Sequence, residues 1–150
     1  RHGLVWSARC GAELNGVLIA NPPGAYPFPR PGAWLLLRAI VKQGPGVVSR
    51  WAEVFRTLDA AHPVTQHWYL ATLGIAPAAQ RRGLGRALLE AFVARIDADG
   101  LPAWLETDRE RNVRFYEAAG FRPLRTLDVF GVPVFCLERP ARVSPAPGMR

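Results

Sequence analysis

Apolar and polar positions alternate along the chain in a way that predicts strands and helices in turn. Two short apolar runs, Leu4 to Cys10 and Leu14 to Ala20, predict a strand pair joined by a tight turn. A third run, His67 to Ile75, predicts a buried strand. Apolar residues at helical spacing predict helices over Val47 to Ala61 and over Leu84 to Ala98.

The same alternation continues in the last third of the chain. Ala103 to Glu106 predicts a short strand, and Asn112 to Ala119 predicts a short helix that ends before a glycine. Arg122 to Phe130 and Pro133 to Leu137 predict a final strand pair. Because a helix links the third and fourth strands, these two should be parallel neighbours with a right-handed crossover. The predicted fold class is therefore α/β, with one sheet flanked by helices.

Three stretches have an irregular or an open assignment. Asn21 to Gly32 contains five prolines and is predicted to be irregular. Ala33 to Val41 is apolar throughout, so a helix and a strand both fit it. Residues 140–150 are rich in proline, serine and alanine and are predicted to form a flexible tail.

Composition excludes several function classes. The 150-residue chain suits one domain, and its net charge of +7 comes almost wholly from scattered arginines, so no nucleic-acid partner is expected. Since no apolar stretch reaches the ~20 residues that span a bilayer, no membrane association is expected. Cys10 and Cys136 lack metal-like spacing, so we predict no metal site and interpret both as reduced core-strand residues of a cytoplasmic protein.

Candidate chemistry is concentrated in the segment Gln80-Arg81-Arg82-Gly83-Leu84-Gly85-Arg86, between a predicted strand and a predicted helix. A helix N-terminus offers unpaired N–H groups and roughly half a positive charge. Gly83 and Gly85 leave room for a phosphate to reach the backbone, and the arginines add full charge. The segment has neither the Lys-Ser/Thr of a P-loop nor the third glycine of a dinucleotide fold, since residue 88 is Leu88. It predicts a bound pyrophosphate, with a solvated turn as the alternative.

Further features accompany this loop. Gly74 interrupts the preceding strand and predicts a β-bulge, Leu105-Glu106-Thr107 ends the next strand, and Asn112 to Phe121 follows. Together they resemble the GCN5-related N-acetyltransferases, which transfer an acetyl group from acetyl-CoA to an amine, and within them the puromycin N-acetyltransferase-like members. The resemblance spans His67 to Phe121 and extends less distinctly to Leu137. It implies a mixed central sheet with flanking helices and the cofactor in the splay between two parallel strands.

The resemblance also implies how the cofactor is held. The Arg/Gly loop would bind the CoA pyrophosphate, Leu73 and Ile75 would offer backbone hydrogen bonds to the pantetheine arm, and Asn112 would help to fix that arm. Backbone N–H groups around Gly74 would stabilise the developing oxyanion. The implied cofactor-binding residues are Leu73, Gly74, Ile75, Arg81, Arg82, Gly83, Leu84, Gly85, Arg86, Asn112 and Tyr116.

Two residues are candidates for proton transfer. Tyr116 matches the tyrosine near the thioester sulfur, which the resemblance makes the general acid; a core aromatic is the alternative. Glu106 is the candidate general base or ammonium anchor, with a structural carboxylate paired to an arginine as the alternative. Asn112 could also be only the N-cap of its helix. His62 and His67 are interpreted as structural.

The resulting hypothesis is an N-acetyltransferase domain over residues 1–139. It would act by direct attack on acetyl-CoA, with a primary amine of a small molecule or protein as acceptor, since neither cysteine lies in the predicted cleft motifs. Family members begin with a strand-helix unit before the first hairpin, which starts here at about Leu4, so we expect a shortened chain. Asn21 to Pro63 could form a lid. Alternatives are a non-catalytic acyl-CoA-binding or protein-interaction module and, less favoured, a nucleic-acid-binding domain; edge strands make a homodimer possible.

Overall fold

A computed structural model describes residues 3–26 and 32–142. The elements in chain order are β1 (Leu4–Cys10), β2 (Glu13–Asn21), α1 (Ala33–Gln43), α2 (Pro45–Ala61), β3 (Trp68–Ile75), a 3-10 turn (Pro77–Ala79), α3 (Leu84–Asp99), β4 (Ala103–Thr107), α4 (Glu110–Glu117), β5 (Arg122–Val129) and β6 (Val132–Arg139). The predicted proline-rich stretch and the predicted tail fall partly outside the described residues, at 27–31 and 143–150.

The six strands form one mixed sheet in the order β1-β2-β3-β4-β6-β5. β3 and β4 are parallel neighbours, which confirms the prediction, and the other pairs are antiparallel. Parallel pairing extends over two residue pairs only, Trp68 with Ala103 and Tyr69 with Trp104. Beyond these pairs the two strands diverge, which opens a gap in the middle of the sheet.

The main hydrophobic core lies between the sheet and the two later helices. α3 packs on β1, β2 and β3, and α4 packs on β4, β5 and β6. The apolar stripe of α3 is buried as its spacing predicts, with Phe92 and Ile96 fully inaccessible. Gly100 ends α3 in the left-handed conformation, φ +64°, where a residue without Cβ is favoured. This packing fixes the N-terminus of α3 beside the end of β3.

A smaller cluster lies on the opposite face of the sheet. Ala61, at the end of α2, packs with Trp104 and Cys136, and Tyr69 lies against them. α1 contacts α2 and contains no buried residue; Trp34, for example, is 75% exposed. The ambiguous apolar stretch after the prolines is thus helical, but its side chains are not part of the core.

Two local predictions were wrong. The bulge in β3 is at Ala71, because Leu70 pairs with Ala20 and Thr72 with Ile19, whereas Gly74 pairs regularly with Val17. The short fourth helix begins at Glu110, two residues before the predicted start at Asn112. A one-residue bulge reverses which side chains face the core, so the shift from Gly74 to Ala71 changes which backbone groups border the gap.

Candidate active site

The gap between β3 and β4 contains a cavity of about 310 Å³, which we call the gap cavity. One wall is residues 70–73 of β3, and the other is residues 106–108 at the end of β4. Asn112 and Tyr116 of α4 complete it. The cavity therefore brings together four residues that the sequence singled out: Leu73, Glu106, Asn112 and Tyr116.

Backbone polarity along β3 is set by its pairing with β2. The N–H of Ala76 donates to the carbonyl of Asn15 at 2.8 Å. Because antiparallel pairing alternates, the backbone groups of Gly74 point toward β2 and those of Leu73 and Ile75 point toward the gap. The side-chain amide of Gln80 donates to the Ile75 carbonyl at 3.1 Å, which agrees with that direction. Gly74 itself is thus not a source of free donors in the gap, contrary to the expectation from a kink there.

Ala71 has no partner on β2 and lines the gap cavity. A sequence signal for this bulge existed. Trp68 and Leu70 face the core at a spacing of two, whereas the next core residues, Leu73 and Ile75, follow after a spacing of three. A spacing of three residues, in a strand whose core-facing residues otherwise recur every two, indicates one inserted residue.

The predicted anion-binding loop precedes α3 in an exposed turn. Gly83 is the N-cap residue at φ +80°, and the first helical hydrogen bond runs from the Ala87 N–H to its carbonyl at 3.0 Å. The N–H groups of residues 84–86 therefore have no intrahelical acceptor. Arg81 also has positive φ, +61°, an uncommon conformation for a residue with a side chain. This geometry is that of a helix N-terminus open to an anion.

The three arginines of this loop differ in their partners. Arg86 donates to Glu90 at 2.8 Å, an exposed pair on successive turns of α3. Within the described residues, Arg81 and Arg82 are exposed and form no ion pair. The free positive charge at this helix end therefore comes from Arg81 and Arg82.

Glu106 is a nearly buried carboxylate whose side chain is 8% exposed. Trp104 Nε1 donates to its Oε1 at 2.5 Å, and the Tyr69 hydroxyl also hydrogen-bonds to it. His62 Nδ1 lies 3.5 Å from the same oxygen. Burial is the main cause that raises the pKa of Tyr69, and the charge of Glu106 is the second. The hydroxyl therefore stays protonated and donates its hydrogen bond to Glu106. The alternative of an arginine partner was wrong, since the recorded partners in the described part of the chain are an indole, a phenol and an imidazole.

Tyr116 has features of both alternatives, the core aromatic and the proton donor. Its ring packs edge-on against Phe115 and Phe121, and only 7% of the residue is exposed. It also lines the gap cavity, and its hydroxyl has no hydrogen-bond partner among residues 3–26 and 32–142. Burial raises the pKa of Tyr116, so the hydroxyl remains protonated at neutral pH. It is thus a core aromatic that presents a proton donor to the cavity.

Asn112 is not the N-cap of its helix, because Arg109 occupies that position. Its Nδ2 instead donates to Oγ1 of Thr107 at 3.1 Å. Thr107 Oγ1 also accepts from the backbone N–H of Arg109 at 3.4 Å. Thr107 thereby ties the end of β4 to the start of α4, a role that the sequence interpretation missed.

Cys136 lies nearer to the site than its place in the sequence suggests. It is the direct cross-strand partner of Glu106 and is fully buried, as predicted for a core-strand residue. The same prediction was wrong for Cys10, which is exposed at the end of the edge strand β1. Burial raises the pKa of its thiol to about 11, and the Glu106 charge adds to this effect. A thiol that stays protonated is a poor nucleophile, so its position does not favour a covalent acetyl-enzyme.

Within the described ranges, no group of three or more His, Cys, Asp or Glu is placed to hold a metal ion. The same residues include no helix that is both long and apolar enough to cross a membrane.

Comparisons with known proteins match the sequence and the fold. The profile of the acetyltransferase (GNAT) family matches residues 26–121. The histone acetyltransferase HPA2 and related acetyltransferase from Corynebacterium glutamicum superposes with a TM-score of 0.64 at 25% identity, over 95% of this chain and 66% of that one. This chain thus spans about two thirds of the length of that protein.

Two other structures share the fold at lower identity. The ribosomal-protein-S18-alanine N-acetyltransferase from Escherichia coli gives a TM-score of 0.60 at 15% identity, over 99% of this chain and 76% of that one. A NatC complex bound to Gag peptide and CoA gives 0.58 at 13% identity, over 92% and 71%.

Acetyltransferases of this family take the acetyl group from acetyl-CoA. The described residues fit such a molecule at both of its ends. An open helix N-terminus beside two unpaired arginines suits a pyrophosphate, and the gap bordered by the backbone of Leu73 and Ile75 suits an extended arm. The family profile covers well over half of the sequence, and the overall fold agrees with the matched structure. This chain belongs to the acetyltransferase (GNAT) family.

Proposed function

We propose that this chain is an acetyl-CoA-dependent N-acetyltransferase that modifies a primary amine by direct attack in a ternary complex. One observation carries the proposal: the gap cavity is lined both by a buried carboxylate, Glu106, and by a protonated hydroxyl without a partner in the described chain, Tyr116. Acyl transfer to an amine requires a group that accepts a proton and a group that donates one. The same strand that borders this cavity leads into the anion-binding loop.

The binding residues are assigned by their chemistry. Arg81, Arg82 and the free N–H groups at the start of α3 would hold the pyrophosphate. The backbone groups of Leu73 and Ile75 that point toward the gap would hydrogen-bond to the pantetheine arm. Asn112 would stabilise the wall of the gap through its hydrogen bond to Thr107. Bound acetyl-CoA supplies a thioester carbonyl that an amine can attack.

The proton-transfer roles follow from burial and hydrogen bonding. Glu106 would remove a proton from the incoming ammonium, since it lines the cavity and is aligned by Trp104 and Tyr69. Tyr116 would hydrogen-bond to the sulfur as negative charge develops there and then give up its proton. Its raised pKa keeps that proton in place at neutral pH.

Two acceptor classes are considered, small-molecule amines and protein amino groups. The E. coli relative is named for acetylating an alanine of a ribosomal protein, and the NatC structure contains a peptide. These names favour trying peptide N-termini as well as small amines. Likeness to puromycin N-acetyltransferase-like members stays a prediction and adds antibiotic-like amines to the panel.

The first experiment is calorimetric titration with acetyl-CoA of the wild type and of Arg82→Ala. Removing one phosphate-binding arginine from an exposed loop is expected to weaken binding about tenfold, which corresponds to about 1.4 kcal/mol. A folded wild-type protein that does not bind acetyl-CoA would contradict the proposal.

The second experiment measures CoA thiol release with the amine panel. Glu106→Gln is expected to lower kcat by about 10²–10⁴, the usual contribution of a general base. Glu13→Gln is the matched control, because Glu13 is an exposed residue at the start of β2 whose carboxylate forms no ion pair within residues 3–26 and 32–142. Acetyl-CoA binding without turnover of any amine would favour the alternative of a non-catalytic acyl-CoA-binding module.

A further inference from the structure

Two buried histidines lie directly behind Glu106. His62 Nδ1 is 3.5 Å from Glu106 Oε1, and His62 Nε2 is 2.8 Å from His67 Nε2. His67 Nδ1 lies 2.6 Å from the carbonyl oxygen of Thr65. Both histidine residues are less than 9% exposed. We call Glu106, His62 and His67 together the histidine chain.

Hydrogen-bonding rules fix where the protons of this chain lie. A carbonyl oxygen only accepts, so His67 must carry a hydrogen on Nδ1. Burial is the main cause that lowers the pKa of His67, so this ring is neutral near pH 7 and its Nε2 is an acceptor. His62 must then donate from Nε2. The Nδ1 atom of His62 then carries no hydrogen and faces the Glu106 carboxylate. A proton added to either group would form a hydrogen bond between them.

Carboxylates lie around the histidine chain and partly offset the burial that disfavours a positive charge there. Asp59 of α2 accepts a hydrogen bond from Tyr26, whose ring stacks on His62 with centroids 3.5 Å apart. Tyr69 of β3 lies edge-on to the same imidazole, and Glu138 of β6 acts electrostatically on His67. The charged residues recorded around the two rings in the described chain are thus acidic, and they stabilise a proton that enters the histidine chain.

The histidine chain connects two cavities. Glu106 lines the gap cavity. His62 and His67 line a second cavity of about 500 Å³ on the α2 side, with Tyr26 and Asp59 in its wall. We call this second space the outer cavity. A carboxylate in one cavity is therefore linked through two imidazoles to the other.

We propose that His62 and His67 relay the proton taken up by Glu106 to water in the outer cavity. The inference rests on the proposed function and extends it, because it assigns the exit of the proton that the base removes. It also replaces the interpretation of these histidines as merely structural.

The proton balance requires such an exit. An ammonium acceptor loses two protons when it becomes an amide; one is gained by the departing thiol and one is left over. An N–H bond of the ammonium breaks and an O–H bond forms on Glu106. That proton moves to Nδ1 of His62, whose positive charge is shared with His67 through the Nε2–H···Nε2 hydrogen bond. The Nε2–H proton of His62 passes to Nε2 of His67, and the Nδ1–H bond of His67 breaks when water in the outer cavity replaces the Thr65 carbonyl as its acceptor and takes the proton. A turn of both rings then restores the starting tautomers.

The first test needs no acceptor amine. ¹⁵N NMR of histidine-labelled protein reports which ring nitrogen carries hydrogen, and His62→Asn and His67→Asn assign the signals. At neutral pH we expect hydrogen on Nδ1 of His67 and on Nε2 of His62. Hydrogen on Nε2 alone in His67 would overturn the relay, since His67 would then donate to His62 and could not accept a proton from it.

The second test is kinetic and uses the amine that is acetylated fastest. Asparagine at position 62 can keep an N–H donor toward Glu106 but cannot pass a proton on. We expect His62→Asn to lower kcat at least about tenfold and to alter the pH profile of kcat, with unchanged affinity for acetyl-CoA. We expect added imidazole to restore part of the activity of His62→Ala. Unchanged acetyl-CoA affinity also shows that the variants are folded.

The outcomes separate the relay from the proposed function. A His62→Asn protein with wild-type kcat and pH profile overturns the relay and leaves Glu106 as base. A Glu106→Gln protein with wild-type kcat overturns the base assignment itself. If no amine is acetylated, the proposed function fails, and the NMR measurement still decides how the two histidines are connected.

Discussion

Gly83 and Gly85 allow a sharp test of the anion-binding loop, because only one of them requires glycine for its backbone. Gly83 has φ +80°, and a Cβ added there would meet nothing within 4 Å. The cost of Gly83→Ala is therefore conformational, about 1–2 kcal/mol for a residue with Cβ in the left-handed region. Gly85 lies within α3, and its added Cβ would be 3.5 Å from Ile75 Cγ1, an ordinary contact. Gly85→Ala is thus expected to gain about 0.5–1 kcal/mol from helix propensity.

The two variants should differ by about 1.5–3 kcal/mol in free energy of unfolding. For a chain of this length, about 2–4 °C per kcal/mol places the melting temperature of Gly83→Ala about 3–12 °C below that of Gly85→Ala. Differential scanning calorimetry measures the difference. Equal melting temperatures would refute the reasoning, since they would mean that the left-handed N-cap is not required.

The same pair tests coenzyme binding. If Gly83→Ala relieves its strain by moving the loop, the N–H groups of α3 and the Arg82 side chain move with it. Calorimetric titration should then show weaker acetyl-CoA binding for Gly83→Ala than for Gly85→Ala. An equal loss in both variants would instead indicate that the Gly85 Cβ obstructs the ligand.

Three further predictions concern other parts of the molecule. Tyr116→Phe is expected to lower kcat by about 10–100-fold at unchanged acetyl-CoA affinity, because only the hydroxyl is lost; an unchanged kcat would remove it as the acid. Arg139→Met is expected to cost about 3 kcal/mol of unfolding free energy in urea, since the buried guanidinium donates to both carboxylate oxygens of Asp97; pairing it with Asp97→Asn should restore part of that loss. Burial lowers the pKa of His67 below the ~6.5 of an unfolded chain, so stability should decrease as pH falls below about 6.5. That decrease should be smaller in His67→Asn, and an identical pH dependence would contradict the cause given.

Local patterns were enough to predict most elements of the sheet and its helices. The apolar run of β3 and the helical stripe of α3 both reflect burial, which sequence records directly. α1 was ambiguous because its apolar residues are not divided between a buried and an exposed face. The bulge was assigned to Gly74 because glycine marks many bulges, but here the insertion is at Ala71 and only the spacing of core residues reveals it.

The candidate site could be proposed from the sequence where it depends on contiguous motifs, and not where it depends on tertiary contacts. The loop before α3 and the Tyr116 helix are local in sequence. The partners of Glu106 are not: Tyr69 comes from β3, and His62 follows α2. One signal was available, because Trp104 and Glu106 are two residues apart on a strand and so share a face. The contact between His62 and His67 depends on ring orientation, which no periodicity describes.

Within the sheet, only two residue pairs join β3 to β4, so this seam is the weakest line of strand pairing. β1, β2, β3 and α3 form one leaf, and β4, β5, β6 and α4 form the other, with each helix making its main sheet contacts within its own leaf. If a ligand binds in the gap as proposed, it touches both leaves and bridges β3 and β4 where the two strands are not paired. Its binding energy therefore also stiffens the protein, and amide exchange along the inner edges of β3 and β4 should slow on both sides of the seam at once.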